Sequence, residues 1–246
     1  MKLVGIDGCK FGWVAVSLED DCAKIFKNLT DLVAFYDDET IFLIDMPIGL
    51  PSEEIERNCE KSARREIDSK RKSSLFPVPC RQAVYAENYE KANQINRKVL
   101  QKGIPKQSWF ICSKIKELDQ ILLQNEKLKA RFKESHPELA FHYLNRKVSM
   151  EFNKKTESGQ KERLFLLSQF SSNIDFIYKN TLQKYKRMDL AKDDIIDALC
   201  LAVTLEEIST NNIPLECSNV DEKKLPMKIN IFDSSLLSKH IEKNFT

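Results

Sequence analysis

The chain has 246 residues, and its 39 lysines and arginines nearly match its 37 aspartates and glutamates, leaving a formal net charge of +2. That balance does not call for a polyanionic partner, so any surface for nucleic acid has to be a local patch. The length suits one large domain, residues 1–246, with insertions, and without a long apolar run or a signal-peptide layout it should be soluble and cytoplasmic, with no membrane partner.

Residues 2–7, 12–18 and 22–26 read as three strands joined by two hairpin connections. The first carries Asp7 in the apolar run Leu3-Val4-Gly5-Ile6-Asp7-Gly8, where a carboxylate is unfavourable unless a cation neutralises it. Asp followed by Gly also suits an ordinary turn. Asn28 or Thr30 can cap a short helix carrying Leu32, Val33 and Phe35, and residues 40–44 form a wholly apolar strand of the buried kind that ends at Asp45.

From residue 51 to about 128 helices take over as an insertion. Ser52 is placed to cap a helix with Ile55, Cys59, Ala63 and Ile67 on one stripe, running into Lys70-Arg71-Lys72. Its bases, Arg64 among them, read either as a solvated face or as phosphate contacts. Leu75 to Arg81 contains Pro77 and Pro79 and should be an ordered loop. A helix from about Glu87 stops at Gly103 before Pro105, and Trp109, Ile111, Ile115, Leu118 and Leu122 mark another core-facing helix.

Residues 130–134 can return to the sheet. Pro137 then opens a short helix through Leu144, with Glu138 in a first turn where the helix dipole favours a carboxylate. Lys154-Lys155-Thr156, Gly159 and Arg163 form a basic loop entering a helix, which suits a bound phosphate or a solvated linker. The last strong element spans Asp193 to Glu207, and residues 211–246 are a polar C-terminal extension with a strand near 227–232.

That last helix holds the second acidic signal. Asp193 or Asp194 can act as a cap, but Asp197 lies inside the helix beside a continuous apolar stretch. At about 100° per residue Asp193 and Asp194 each fall within about 60° of Asp197, so the three carboxylates share one sector. Carboxylates so crowded repel unless a cation binds or protons are retained, so the strand acid and the helix acids together suggest a metal site. The seven cysteines show no Cys-x-x-Cys spacing and none of the three histidines pairs with one at ligand spacing. A disulfide framework and a zinc centre are therefore disfavoured, and oxygen donors point to Mg²⁺ or Mn²⁺.

Three strands, a helix, a strand and then helices, with acids on the first strand, after the fourth and on the last helix, resembles the RNase H-like fold. That is an α/β fold with a mixed five-stranded sheet flanked by helices. More closely, the chain resembles the family of predicted RNase H-like nucleases called domain of unknown function 429. The resemblance rests on Gly5-Ile6-Asp7-Gly8-Cys9-Lys10 with Gly12-Trp13-Val14, on Ile44-Asp45-Met46-Pro47-Ile48-Gly49-Leu50-Pro51, and on Phe76-Pro77-Val78-Pro79-Cys80-Arg81. It continues through His136-Pro137-Glu138, the Lys154 to Arg163 loop and Asp193-Asp194-Ile195-Ile196-Asp197-Ala198-Leu199, with Leu225 to Ile229 similar to a closing strand. Two positions depart from the pattern: Glu60 follows Cys59 where the family prefers Asp, and Asp45 stands where many RNase H-like enzymes use Glu.

The resemblance implies that the first and fourth strands are neighbours, bringing Asp7 beside Asp45. It further implies a nuclease using two Mg²⁺ or Mn²⁺ ions to hydrolyse phosphodiester bonds of DNA or RNA. Asp7, Asp45, Asp194 and Asp197 are the expected metal ligands, with Glu138 a further catalytic candidate. Lys10, Arg64, Arg81, Lys154, Lys155 and Arg163 are the expected phosphate contacts. Two other readings stay open. A sugar-kinase or actin-like nucleotide-binding protein also begins with a strand and Asp-Gly, although it needs a second such domain and phosphate loop. A nucleic-acid-binding module with a silent site would keep the acids without cleavage.

Overall fold

The computed structural model describes residues 1–69, 71–213 and 219–235. In chain order its elements are β1 (Leu3–Gly8), β2 (Trp13–Ser17), β3 (Cys22–Phe26), α1 (Leu29–Phe35), β4 (Ile41–Ile44), α2 (Cys59–Glu66), α3 (Arg81–Val84), α4 (Tyr89–Leu100) and α5 (Lys106–Gln124). Then follow α6 (Glu126–Arg131), β5 (Phe132–Glu134), α7 (Pro137–Leu144), α8 (Glu157–Ser168), α9 (Ile174–Lys184) and α10 (Lys192–Thr210). The described residues divide between two compact units, one of residues 1–45, 131–213 and 230–235, the other of residues 46–69, 71–130 and 219–229.

The first unit is an α/β layer structure on an open five-stranded sheet in the order β3-β2-β1-β4-β5. β1, β2 and β3 form antiparallel pairs because short hairpin turns join them, whereas β1 with β4 and β4 with β5 are parallel and need crossovers. The first crossover is α1, whose Asn28 cap accepts a bond from the Asp31 N–H at 2.8 Å. Every residue of β2 is buried, as expected of a strand covered on both faces.

α10 governs how this unit packs. Its residues 195–205 are buried on every side, the pattern of a helix enclosed by protein. It lies against β1, β2 and β4 and is covered by α7, α8 and α9. Contact with β1 is backbone to backbone at Gly5, where a Cβ would stand 2.3 Å from both the Ala198 carbonyl oxygen and the Ala202 nitrogen. Side chains alternate along a strand, so Asp7, two residues on, faces α10 as well. Asp194, one turn before Ala198, and Asp197, the residue before it, come to the same end of β1.

The second unit is helical. Cys80, Ala83, Ala92 and Ile104 form a small core, with Tyr89 and Trp109 packed on it edge to face. A buried polar knot organises it: Arg81 pairs with Asp119 at 2.9 Å and with Asp221, Tyr85 donates to Asp119, and Asp221 accepts from the Leu50 N–H.

Several local expectations are corrected. Ser52 caps no helix; its hydroxyl accepts from the Ile55 N–H in a local turn, and α2 begins only at Cys59. The left-handed residue that ends α4 is Gln101, with φ of 57°, rather than Gly103. Residues 227–232 add no strand: an isolated bridge joins Val220 to Pro226, and Asn230 meets β5 by donating to the Glu134 carbonyl from its N–H at 2.8 Å and its side-chain amide at 2.9 Å and by accepting from the Ser135 hydroxyl at 2.7 Å. Lys70 lies outside the described residues. α6 and α9 are additional helices; α9 buries Ile174, Ile177, Tyr178 and Thr181, spaced as one helical face.

Gly5→Ala would drive its Cβ into backbone that no side-chain rotation relieves. A loss of at least about 2–3 kcal/mol in unfolding free energy is expected, read by urea denaturation. A change within about 0.5 kcal/mol would mean that α10 yields at this contact.

Candidate functional site

Asp7 stands one residue from the end of β1, with its Oδ1 accepting from the Gly8 N–H at 2.7 Å and only 8 % of its surface exposed. Parallel pairing sets Ile6 beside Ile44, and the Asp45 N–H continues the ladder by donating to the Ile6 carbonyl at 3.0 Å. Asp45 is therefore next to Asp7 at the strand ends. From α10, Asp194 in the first turn accepts from the Ala191 N–H at 3.1 Å, and Asp197, one turn inside, is 2 % exposed.

Lys154 supplies the positive charge. Its Nζ donates to Asp197 Oδ2 at 2.6 Å, and its charge bears on Asp7, Asp45, Asp194 and Asp197 alike. The loop that carries it is tightly held. Thr156 caps α8 by accepting from the Gly159 N–H at 3.1 Å, and a Cβ on Gly159 would stand 2.0 Å from the Asn153 carbonyl oxygen. Glu162 accepts from the N–H groups of Glu151 and Phe152. Arg163, wholly buried, donates to the carbonyls of Phe152 and Gly159 and to Glu138 at 2.9 Å.

The electrostatics follow from burial and crowding. Desolvation, then the charges of Asp45, Asp197 and Asp194, push the Asp7 pKa well above the usual carboxylate range, with Lys154 opposing. Burial also raises Asp45, partly offset by His136 and Lys154. Asp194 is pushed up to about 6 by burial, against its backbone hydrogen bond. Asp197 is raised to about 6 by burial despite Lys154. For Lys154 burial works the other way, but the carboxylates of Asp197, Asp7 and Asp45 outweigh it and keep the amine protonated. Burial and crowding thus make ionisation of the whole group less favourable than for free carboxylates.

The remaining sequence candidates fall elsewhere. Lys10 is exposed in the turn after β1 and Lys155 is exposed beside Lys154. Arg163 is an interior anchor and holds Glu138 in a buried ion pair rather than leaving it open. In the second unit, Arg81 is engaged by Asp119 and Asp221, and Arg64 donates to the Leu75 carbonyl. His136, quoted above only within a motif, is near enough for its charge to act on Asp45. Among the described residues, no group of three or more His, Cys, Asp or Glu side chains stands at metal-ligand spacing. The carboxylates share one electrostatic neighbourhood without forming a closed set of ligands.

Residues 5–219 match the model of a family described as Protein of unknown function (DUF429). The chain belongs to the DUF429 family. Neither the curated proteins nor the solved structures contain a match to this DUF429 chain. No described helix is long and apolar enough to cross a membrane.

An acid whose pKa is higher folded than unfolded favours the fold while protonated, and that contribution fades as pH rises from the unfolded value to the folded one. For Asp194 the window runs from the ordinary 3.8 to about 6. Asn can keep the hydrogen bond from Ala191 without the charge. Relative to wild type, metal-free Asp194→Asn should therefore gain roughly 1–2 kcal/mol in stability between about pH 4 and pH 7, after discounting for partial exposure. Urea titrations at both pH values read the difference, and parallel pH profiles would contradict it.

Proposed function

We propose that the chain is a divalent-metal-dependent nuclease of the RNase H-like superfamily, hydrolysing phosphodiester bonds at the Asp7 cluster. The observation that carries this reading is the convergence of four carboxylates, from β1, the end of β4 and α10, around the Lys154 ammonium. The strand order, with two antiparallel hairpins on one side and β1 parallel to β4 on the other, supports the superfamily assignment.

The donor chemistry suits a hard cation. Asp7, Asp45, Asp194 and Asp197 offer only carboxylate oxygens, the preference of Mg²⁺ and Mn²⁺, and their raised pKa values mark a site lacking positive charge. A bound metal would polarise the phosphodiester and acidify a water molecule. The chain's own residues prepare for that. Lys154 keeps Asp197 compensated, while burial of Asp7 and Asp197 at the foot of α10 limits hydration of the carboxylates. Closing the set of ligands requires the acids to exchange part of their hold on Lys154 for the metal. Of the bases expected to contact phosphate, Lys10 and Lys155 are both exposed and available to a phosphate backbone. Glu138 and Arg163 act in this scheme by fixing the loop that presents Lys154.

Millimolar Mn²⁺ should raise the thermal midpoint of the wild-type protein and leave Asp7→Asn unmoved. Wild type should cleave at least one of single-stranded, duplex, hybrid and branched substrates with Mn²⁺. Asp7→Asn should lower that rate on the order of 10³-fold or more while retaining its circular dichroism spectrum. Cleavage undiminished in Asp7→Asn would remove the cluster from the reaction. Polynucleotide binding without cleavage under any metal would favour the silent binding module.

Lys155→Ala should weaken polynucleotide binding and flatten its salt dependence by roughly one ion, with the rate of bound substrate unchanged. Anisotropy titrations over a salt series measure the slope, and an unaltered slope would exclude Lys155 from the phosphate path.

A further inference from the structure

The substrate class follows from what surrounds the acid cluster on the first unit. The turn between β1 and β2 projects Lys10 and Phe11 just beyond Asp7, closed by the Cys9 N–H donating to the Gly12 carbonyl at 2.9 Å. Phe11 is 44 % exposed, whereas Trp13, two residues on, is completely buried. Nearly half of Phe11 is therefore apolar surface at a hairpin tip that the core does not use. Its backbone is nevertheless fixed: the Phe11 N–H donates to the Asp189 carbonyl at 3.0 Å, tying the tip to the segment that leads into α10 and its acids.

That segment is itself basic and apolar by turns. Lys186, Arg187 and Met188 are all exposed, and Met188 keeps 63 % of its surface in solvent. Among the described residues Lys10, Lys186 and Arg187 take part in no ion pair with a carboxylate. The Lys154 loop adds Phe152, 43 % exposed, and Lys155. Exposed rings alternating with uncommitted cations beside a phosphodiester site match what an unpaired strand offers, which is base faces between phosphates. A duplex hides those faces, so for it the rings would be idle. The exposed Phe35, on α1, instead carries Lys24 Nζ 3.8 Å from its ring centre.

We infer that the Asp7 cluster acts on single-stranded polynucleotide, with a base stacked on Phe11 and the flanking phosphates held by Lys10, Lys186 and Arg187. This rests on the nuclease reading for the chemistry, but stacking and cleavage can be measured separately. In EDTA, fluorescence anisotropy with labelled oligothymidylate, oligouridylate and an oligothymidylate–oligoadenylate duplex reads binding without turnover. Wild type should prefer the single strands, of either sugar. Phe11→Ala should weaken them about tenfold or more and the duplex less than about twofold. Phe11→Trp should restore the affinity, and Phe11→Leu, of similar bulk but without a ring, should not. The exposed Phe176→Ala serves as control and should bind as wild type. Equal losses on single strand and duplex, no loss on either, or full affinity in Phe11→Leu would overturn the inference. Absence of metal-dependent cleavage alongside selective loss of single-strand binding in Phe11→Ala would instead reject the nuclease chemistry and keep the stacking site.

Discussion

The first unit depends on one close approach, α10 lying directly on the backbone of β1 at Gly5. With 2.3 Å between a hypothetical Cβ and the helix backbone, this contact has room for no side chain. It also fixes the axial position of α10, because the helix cannot slide without losing the fit of Ala198 and Ala202 to the glycine. Everything acidic follows from that register. Asp7 shares the face of β1 with Gly5, Asp194 and Asp197 stand within a turn of Ala198, and parallel pairing with β4 delivers Asp45 alongside. A backbone contact that carries no charge of its own thus sets the position of four carboxylates.

Gathering those charges is unfavourable for the fold by itself, and the surrounding structure is organised to tolerate it. One ammonium cannot offset four buried or half-buried carboxylates, which is why their pKa values stay high even with Lys154 in place. Stability alone would be better served by apolar residues at these positions. The supports of the Lys154 loop are correspondingly extensive, from the Thr156 cap to the buried Arg163 and its ion pair with Glu138. That investment in holding a cation over a group of acids is the strongest physical argument that the cluster has work beyond folding.

Much of this was legible from the chain. The strands before residue 45 announce themselves by alternation and by the wholly apolar 41–44, and α10 by a continuous apolar stretch entered through acids. Asp197 stood out because no cap or surface explanation fits a carboxylate in such a helix, and Asp45 because an acid closed a buried strand. What the sequence concealed were partnerships over long separations. Lys154 and Asp197 are 43 residues apart and Arg81 and Asp221 are 140 apart, so the bases read as phosphate contacts while three of them are engaged by acids. Local signals also misled where two competed: Ser52 has the chemistry of a helix cap but closes a short turn, and Gln101 takes the left-handed position that Gly103 was better suited to fill. The face of α9, by contrast, was present in Ile174, Ile177, Tyr178 and Thr181 and needed only its spacing counted.

For a nuclease, the Asp7 cluster has to accept a divalent cation in place of part of its hold on Lys154. Anomalous diffraction from crystals soaked in millimolar Mn²⁺ addresses this directly. Manganese density bounded by the carboxylates of Asp7, Asp45 and Asp197 is expected, with the Lys154 ammonium withdrawn from Asp197. Fully soaked crystals with no manganese at the cluster, and Lys154 still bonded to Asp197, would contradict the nuclease reading.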